Sequence, residues 1–264
     1  MPLPILSLSQ AHLTLLETCP RRFQYIFDQA LAVPPTPDGK DAALWGNQFH
    51  LLMQQQSLGL PMDVMATANR EMSAKVEALR ERAPHLFQPD PHERLRQSEH
   101  QRALAFNGYL VRVIYDLVVL TEHSGLIVDW KTYLKPPQKQ RLAHDWQTRL
   151  YLYVLAETSD LPPEQLTMVY WFVRHKDQQG NDLPPTGYRF SYSLQQHDQT
   201  RVDLMRLTDQ LSALRQQEEF PQTTYLDRCT YCPFQIRCQR MERSDLPLDL
   251  DAIEEISLTE NTLT

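Results

Sequence analysis

The sequence predicts an α/β fold in which helices flank a small mixed β-sheet. Three observations lead there. Tyr109–Leu120 (YLVRVIYDLVVL) is dense in β-branched and aromatic residues, the composition of a buried strand. Residues 126–132 (LIVDWKT) repeat that character across the turn at 121–125, so the two runs should form a hairpin. On either side, apolar residues recur at three- and four-residue spacing, as in helices that pack one face on a sheet.

In chain order, residues 9–30 read as a helix capped by Ser9, with Leu13, Leu16, Phe23 and Phe27 on one face. Pro34, Pro35, Pro37 and Gly39 mark a loop. A helix over 44–57 carries Trp45, Phe49, Leu52 and Met53, and 61–83 reads as one or two further helices, ended by Pro84, Pro89 and Pro91. After the hairpin come a helix over 145–157 and a strand over 167–174. Next are a polar turn at 177–181, a strand over 188–193 and a long helix over 195–218. A cysteine-rich segment follows, and no internal repeat is present.

The chain has 264 residues, 42% of them hydrophobic, enough for a sizeable core. No G-x-x-x-x-G-K-[ST] loop occurs, which excludes a built-in nucleotide motor of that type. No apolar stretch is long enough to cross a bilayer, and residues 1–10 lack the basic and apolar regions of a secretory leader. A cytoplasmic location, with reduced thiols, is therefore expected. The net charge of -7 is concentrated at one end: Asp245, Asp249, Asp251, Glu254, Glu255 and Glu260 have no Lys or Arg among them. The expected organisation is a nearly neutral domain over 1–244 and an acidic, disordered tail over 245–264. Acidity of this kind neither excludes nor supports a nucleic-acid partner.

Asp129 and Lys131 lie two apart in a strand, so both face the same way, while Trp130 faces the other. Asp116 sits in the neighbouring strand. Two carboxylates and an ammonium brought together by a hairpin suit a hard divalent cation that keeps some of its waters, and hence phosphodiester hydrolysis. Taken alone, the triplet reads more readily as a buried Asp–Lys ion pair supporting the sheet. His50, beside Phe49, reads alone as a half-buried helical histidine, and Glu99 as a surface acid in a charged stretch. Gln147 and Tyr151, at i and i+4, read as ordinary amphipathic-helix residues.

The motifs together carry more. LSLSQAHLTLLETCPRRFQY with its C-P-x-x-F, GNQFH ending in His50, Glu99 in QSEHQ, Asp116 in VIYDLV, Asp129-Trp130-Lys131, and Gln147 with Tyr151 in QTRLY occur in that order. In this the chain resembles the RecB-like nucleases of the PD-(D/E)XK superfamily over most of residues 1–240. The resemblance implies a restriction-endonuclease-like core. It implies Mg²⁺ or Mn²⁺ bound by Asp116, Asp129 and the backbone carbonyl of Trp130, with His50 as a further or supporting ligand. Glu99 would be a supporting or second-metal carboxylate and Lys131 the catalytic lysine; Gln147 and Tyr151 would position the site or touch DNA. Val113 departs from the glycine frequent in relatives at that position.

Cys229, Cys232 and Cys238 form C-x2-C-x5-C, and Cys19 stands alone near the other end. Four thiolates suit a [4Fe–4S] cluster or a structural zinc. The resemblance extends to AddB-type and CRISPR-associated RecB-like exonucleases, whose cysteine pattern holds [4Fe–4S]. It implies that cluster before zinc, tying the N- and C-terminal segments together. Arg21, Arg22, Lys135, Lys139, Arg141, Arg228, Arg237 and Arg240 could grip phosphates or could simply be solvated surface. Trp130 and Trp146 could stack on bases or belong to the core. The expected function is a metal-dependent exonuclease on DNA ends, single-stranded, in repair, recombination or CRISPR adaptation, with a helicase or other partner in trans. A structure-specific endonuclease, or a non-catalytic DNA-binding scaffold, are the alternatives.

Overall fold

The computed structural model describes residues 6–31, 37–60 and 70–240. The expected loop prolines Pro34 and Pro35, part of the 61–83 helical region and the whole acidic tail over 245–264 lie outside them.

Strand β1 (Ser7–Leu8) leads into α1 (Gln10–Thr18) and α2 (Pro20–Phe23), which continues as a π-helical turn over Gln24–Asp28. The single helix expected here is broken at Cys19, whose backbone is extended (φ -160°, ψ 102°). The cause is Pro20: the residue before a proline is pushed out of the helical region, while proline is favoured at the first position of the next helix. Helix α3 (Pro37–Ser57) starts earlier than the periodicity indicates, and α4 (Arg70–Arg82) follows the undescribed 61–69. Then come β2 (Leu95–Phe106), β3 (Tyr109–Leu120) and β4 (Gly125–Lys131). Helices α5 (Lys139–His144) and α6 (Trp146–Glu157), β5 (Leu166–Phe172), β6 (Thr186–Ser191) and α7 (Leu194–Leu214) complete the fold.

The six strands form one mixed sheet, in the order β1-β3-β4-β5-β6, with β2 on the other side of β3. Strands β3 and β4 are antiparallel, β4 and β5 are parallel across the α5–α6 crossover, and β6 closes the far edge antiparallel to β5. Two apolar cores lie on the two faces. One gathers α1, α6 and α7 around Leu13, Leu150 and Leu207; the other packs Trp45, Phe49, Val76 and Leu79 of α3 and α4 against Val128 and Trp130. Each fully buried aliphatic side chain contributes roughly 1.5–3 kcal/mol, so both helical layers are held mainly by burial.

Strand β3 changes its facing in mid-course. Tyr109, Val111, Val113 and Tyr115 belong to the first core, Leu117 and Val119 to the second, and Val118 and Leu120 to the first again. The alternation therefore slips by one residue at Asp116. Opposite it, Glu99 interrupts the β2–β3 register between Ser98↔Leu117 and His100↔Tyr115, with φ at +49°. On the other edge of β3, the ladder to β4 ends at Leu117↔Val128, whereas β4 goes on pairing with β5 as far as Lys131↔Phe172. The sheet is thus notched between Asp116 and Asp129.

The N- and C-terminal segments do meet, but not through a metal centre. Arg21 Nε donates to the Phe220 carbonyl (2.5 Å), and its guanidinium pairs with Glu219 (2.8 Å). Gln24 donates to the Glu218 carbonyl (2.9 Å) and accepts from the Phe220 N–H (3.0 Å), while Phe23 and Phe220 stack with centroids 6.3 Å apart. Here the sequence-based expectation is corrected. Cys19, Cys229, Cys232 and Cys238 are free, half-buried thiols. Zinc held by sulfurs at about 2.3 Å would draw them within about 4 Å of one another. Yet His50, Glu99 and Asp116 are the only group of three or more His, Cys, Asp or Glu found among the described residues with ligand atoms all within 4.8 Å. The thiols border one small cavity, of about 20 Å³.

Candidate metal-dependent active site

The notch in the sheet opens into a cleft of about 1210 Å³ between α3, the β2–β3 pair and the loop after β4. Helix α3 can come this close because of Gly46. A side chain there would press on the Thr132 hydroxyl, 3.2 Å from where its Cβ would stand. One turn on, His50 reaches the notch, with Nε2 3.0 Å from the Trp130 carbonyl oxygen and Nδ1 3.3 Å from Asp116 Oδ2. Asp116 Oδ2 also accepts the Trp130 N–H at 2.7 Å. That donor lies beyond the end of the β3–β4 ladder, so a side chain replaces the missing strand partner.

Glu99 completes a triad with His50 and Asp116. Its left-handed backbone is unusual for a residue other than glycine and costs on the order of 1–2 kcal/mol. Such strain concentrates at functional sites, and here it accompanies a partly exposed carboxylate aimed at another carboxylate. Burial, and then Asp116, raise the Glu99 carboxyl above its ordinary range. Burial alone would lower the His50 imidazole, but Asp116, Asp129 and Glu99 more than reverse this and raise it. Three negative groups around one histidine make a field that favours a cation.

Asp129 is 2% exposed and belongs to a second network beside the first. Its Oδ1 stands 2.5 Å from Lys131 Nζ, without an aligned hydrogen bond, and Oδ2 accepts from Gln147 Nε2 at 2.6 Å. Gln147 Oε1 in turn accepts from Lys131 Nζ at 2.8 Å, so one amide grips both charges. Burial and the neighbouring Asp116 push the Asp129 carboxyl well above the usual carboxylate range. Burial would lower the Lys131 ammonium, but Asp129 holds it above its ordinary value. Tyr151, one turn after Gln147, lines the cleft, and its backbone carbonyl accepts from Tyr115 Oη at 3.1 Å.

The sequence-derived candidates therefore gather in one region, with a division of labour that the linear motifs did not reveal. His50, Glu99 and Asp116 offer ligand atoms to a common point, whereas Asp129, Lys131 and Gln147 satisfy one another. The donor set of His50, Glu99 and Asp116 fits a hard divalent cation. Trp130 and Trp146 belong to the core rather than to a stacking surface, at 4% and 3% exposed. Val113 points into the first core at 1% exposed, so its departure from the family glycine concerns packing and not the cleft. Arg21 is committed to Glu219 and Phe220, while Lys135 does line the cleft. Motif reading missed Arg174, which also lines it. Its guanidinium lies 4.5 Å over the Trp45 ring, with Nε 3.5 Å from Glu71. The available signal was its place two residues past β5, next in the sheet to β4.

Among known protein families, the model of the PD-(D/E)XK nuclease superfamily matches residues 7–239. No curated protein matches this chain. Among the solved structures that resemble it are two of low identity. The crystal structure of SSO0001 is 15% identical, with a TM-score of 0.41, and the match covers 90% of this chain and 88% of the other. A protein from Eubacterium rectale whose exonuclease name is provisional is 12% identical, with a TM-score of 0.49, and the match covers 91% of this chain and 90% of that one.

Proposed function

The chain belongs to the PD-(D/E)XK nuclease superfamily, and from that membership we propose a divalent-metal-dependent DNA nuclease that hydrolyses phosphodiester bonds at single-stranded ends. One observation carries the reading. His50, Glu99 and Asp116 converge within 4.8 Å on the wall of an open cleft, beside the Asp129–Lys131–Gln147 network. His50, Glu99 and Asp116 would hold Mg²⁺ or Mn²⁺, with Asp129 and the Trp130 carbonyl adjacent. A cation bound there would polarise a phosphoryl oxygen and lower the pKa of a coordinated water.

The protein's own groups do the rest. Lys131 is fixed by Asp129 and by Gln147 Oε1, so its ammonium is a positioned donor for a non-bridging phosphate oxygen as charge develops there. Gln147 bridges the pair, donating Nε2 to Asp129 Oδ2 while its Oε1 accepts from Lys131. The water oxygen bonds to phosphorus, one P–O ester bond breaks, and the leaving oxygen takes up a proton. A single strand suits the cleft because Leu51, Ile114, Tyr133 and Leu134 are exposed apolar groups along it, at 44–47%. They can meet base faces that a duplex keeps stacked inside. Lys135 supplies a cation for the backbone.

The test is digestion of labelled linear single-stranded, linear duplex and covalently closed circular single-stranded DNA, with Mg²⁺, Mn²⁺ or EDTA. Metal-dependent loss of the linear single strand, with the circle intact, is expected. Cleavage of the circle would make the enzyme an endonuclease, and no cleavage with either metal would overturn the reading.

A further inference from the structure

A second groove lies on the face of the sheet that α4 only partly covers, beside β5 and β6. It measures about 320 Å³ and is bordered by Arg82, His85, Val169, Trp171, Gly187 and Arg189, with no acidic residue on its wall among the described residues. We propose that this groove is a second binding surface for the same DNA strand, taking phosphates on Arg82 and Arg189 and a base on Trp171. The proposal rests on the nuclease reading for the identity of the strand.

Charge is the first argument. The chain carries 33 acidic residues against 26 Lys and Arg, so a cation without a partner is not the default. The neighbouring cations are engaged: Lys75 with Asp182 (2.9 Å), Arg80 with Glu77 (3.4 Å), Arg96 with Glu93 (2.7 Å) and Arg174 with Glu71 (3.5 Å). Arg82 and Arg189 are exposed, and neither forms an ion pair among the described residues; Arg189 reaches only the Thr167 hydroxyl, at 3.5 Å. Two exposed guanidiniums facing one acid-free groove are complementary to a polyanion.

The aromatic platform is the second argument. Trp171 pairs with Gly187 across β5 and β6, and the indole lies over the glycine, where a Cβ would stand only 3.2 Å from its six-membered ring. Any larger residue would press on the ring. The indole is packed against the second core yet only partly buried, so part of it remains open. An aromatic face flanked by arginines is the combination that holds unpaired strands without regard to sequence.

The experiment uses the full chain and the double variant Arg82→Gln/Arg189→Gln. Affinity for a fluorescent oligothymidylate is measured in EDTA across a salt series, and cleavage of that strand and of a tetranucleotide is measured with Mn²⁺. The variant should bind the long strand at least tenfold more weakly. Its salt slope should be shallower by about 0.7 per lost phosphate contact. Trp171→Leu, which keeps an apolar group against the core, should weaken binding about fivefold or more. Tetranucleotide cleavage should stay at the wild-type rate. Unchanged affinity and slope, the result if the groove seats the acidic 245–264 segment or a protein instead, overturns the proposal. An equal loss on the tetranucleotide overturns it too, because the arginines would then act through the fold. If wild-type protein binds the strand through these arginines but cleaves nothing, the groove stands and the nuclease reading falls.

Discussion

Replacing Glu99 by glycine separates two roles of that residue. Its left-handed backbone, at φ +49°, costs a residue with a side chain about 1–2 kcal/mol. Glycine adopts that conformation freely, but loses roughly 0.5–1 kcal/mol more on being ordered. The net change is a stabilisation of roughly 0–1.5 kcal/mol, and removing a carboxylate from beside Asp116 adds to it with the same sign. At about 2–4 °C per kcal/mol, the metal-free Tm should stay level or rise by a few degrees. The proposed metal site, in contrast, would lose one of three ligands. A cation present at about 100 times its Kd stabilises the folded state by about 2.7 kcal/mol. A tenfold loss of affinity removes about 1.4 kcal/mol of that. Thermal melts of wild type and Glu99→Gly, in EDTA and in Mn²⁺, measure both effects. The expected result is an equal or higher Tm in EDTA, a smaller rise with Mn²⁺, and slower cleavage. A Tm several degrees below wild type in EDTA would refute the backbone argument, and an undiminished Mn²⁺ shift would refute the ligand role. Glu99→Gln, which retains the backbone cost, should show the metal effect and, in EDTA, only the gain from the lost charge.

Asp129→Ala and Lys131→Ala should each abolish cleavage with the fold retained; wild-type rates from folded variants, judged by circular dichroism and gel assays, would remove both from the mechanism. Gln147→Ala leaves a buried carboxylate oxygen without its donor, at about 1.5–3 kcal/mol for a hydrogen bond to a charged group, and frees the lysine. It should lower both Tm and kcat, and a fall in KM alone would argue against the bridging role. Arg21→Ala should cost about 2 kcal/mol, most of it from the Phe220 carbonyl because Glu219 is exposed, whereas Cys19→Ser should change stability by less than about 1 kcal/mol. Equal Tm losses in chemical denaturation or melting would count against that order. Removing 245–264 should leave the cleavage rate intact and strengthen DNA binding at low salt, since six acids and no Lys or Arg are lost; slower cleavage would show that the segment contributes to the site.

The strongest strand was legible to the residue. Tyr109–Leu120 is a strand because twelve consecutive residues, most of them β-branched, aromatic or leucine, leave little alternative. The shared face of Asp129 and Lys131 followed from the period of two, and the common reach of Gln147 and Tyr151 from the helical repeat. Strand β2 went unread because its edge position exposes alternate residues. Arg96, Gln97, Ser98, His100 and Arg102 then look like a solvated loop until β3 is known to pair with them. The place of Glu99 beside His50 and Asp116 depends on a backbone torsion that no side-chain pattern encodes. Likewise, the slip of β3 at Asp116 is invisible in YLVRVIYDLVVL, because apolar residues occupy both faces after it. The cysteines misled by number: four thiols invited one metal, whereas the segments that carry them are joined by Arg21, Gln24 and Phe220.

The most direct test of the metal site is a crystal soaked in Mn²⁺, with data collected at the manganese absorption edge. The account predicts an anomalous peak within bonding distance of His50, Glu99 and Asp116, lost in crystals of Asp116→Asn. A peak elsewhere, or none at that triad while the same protein cleaves DNA with Mn²⁺, would contradict it.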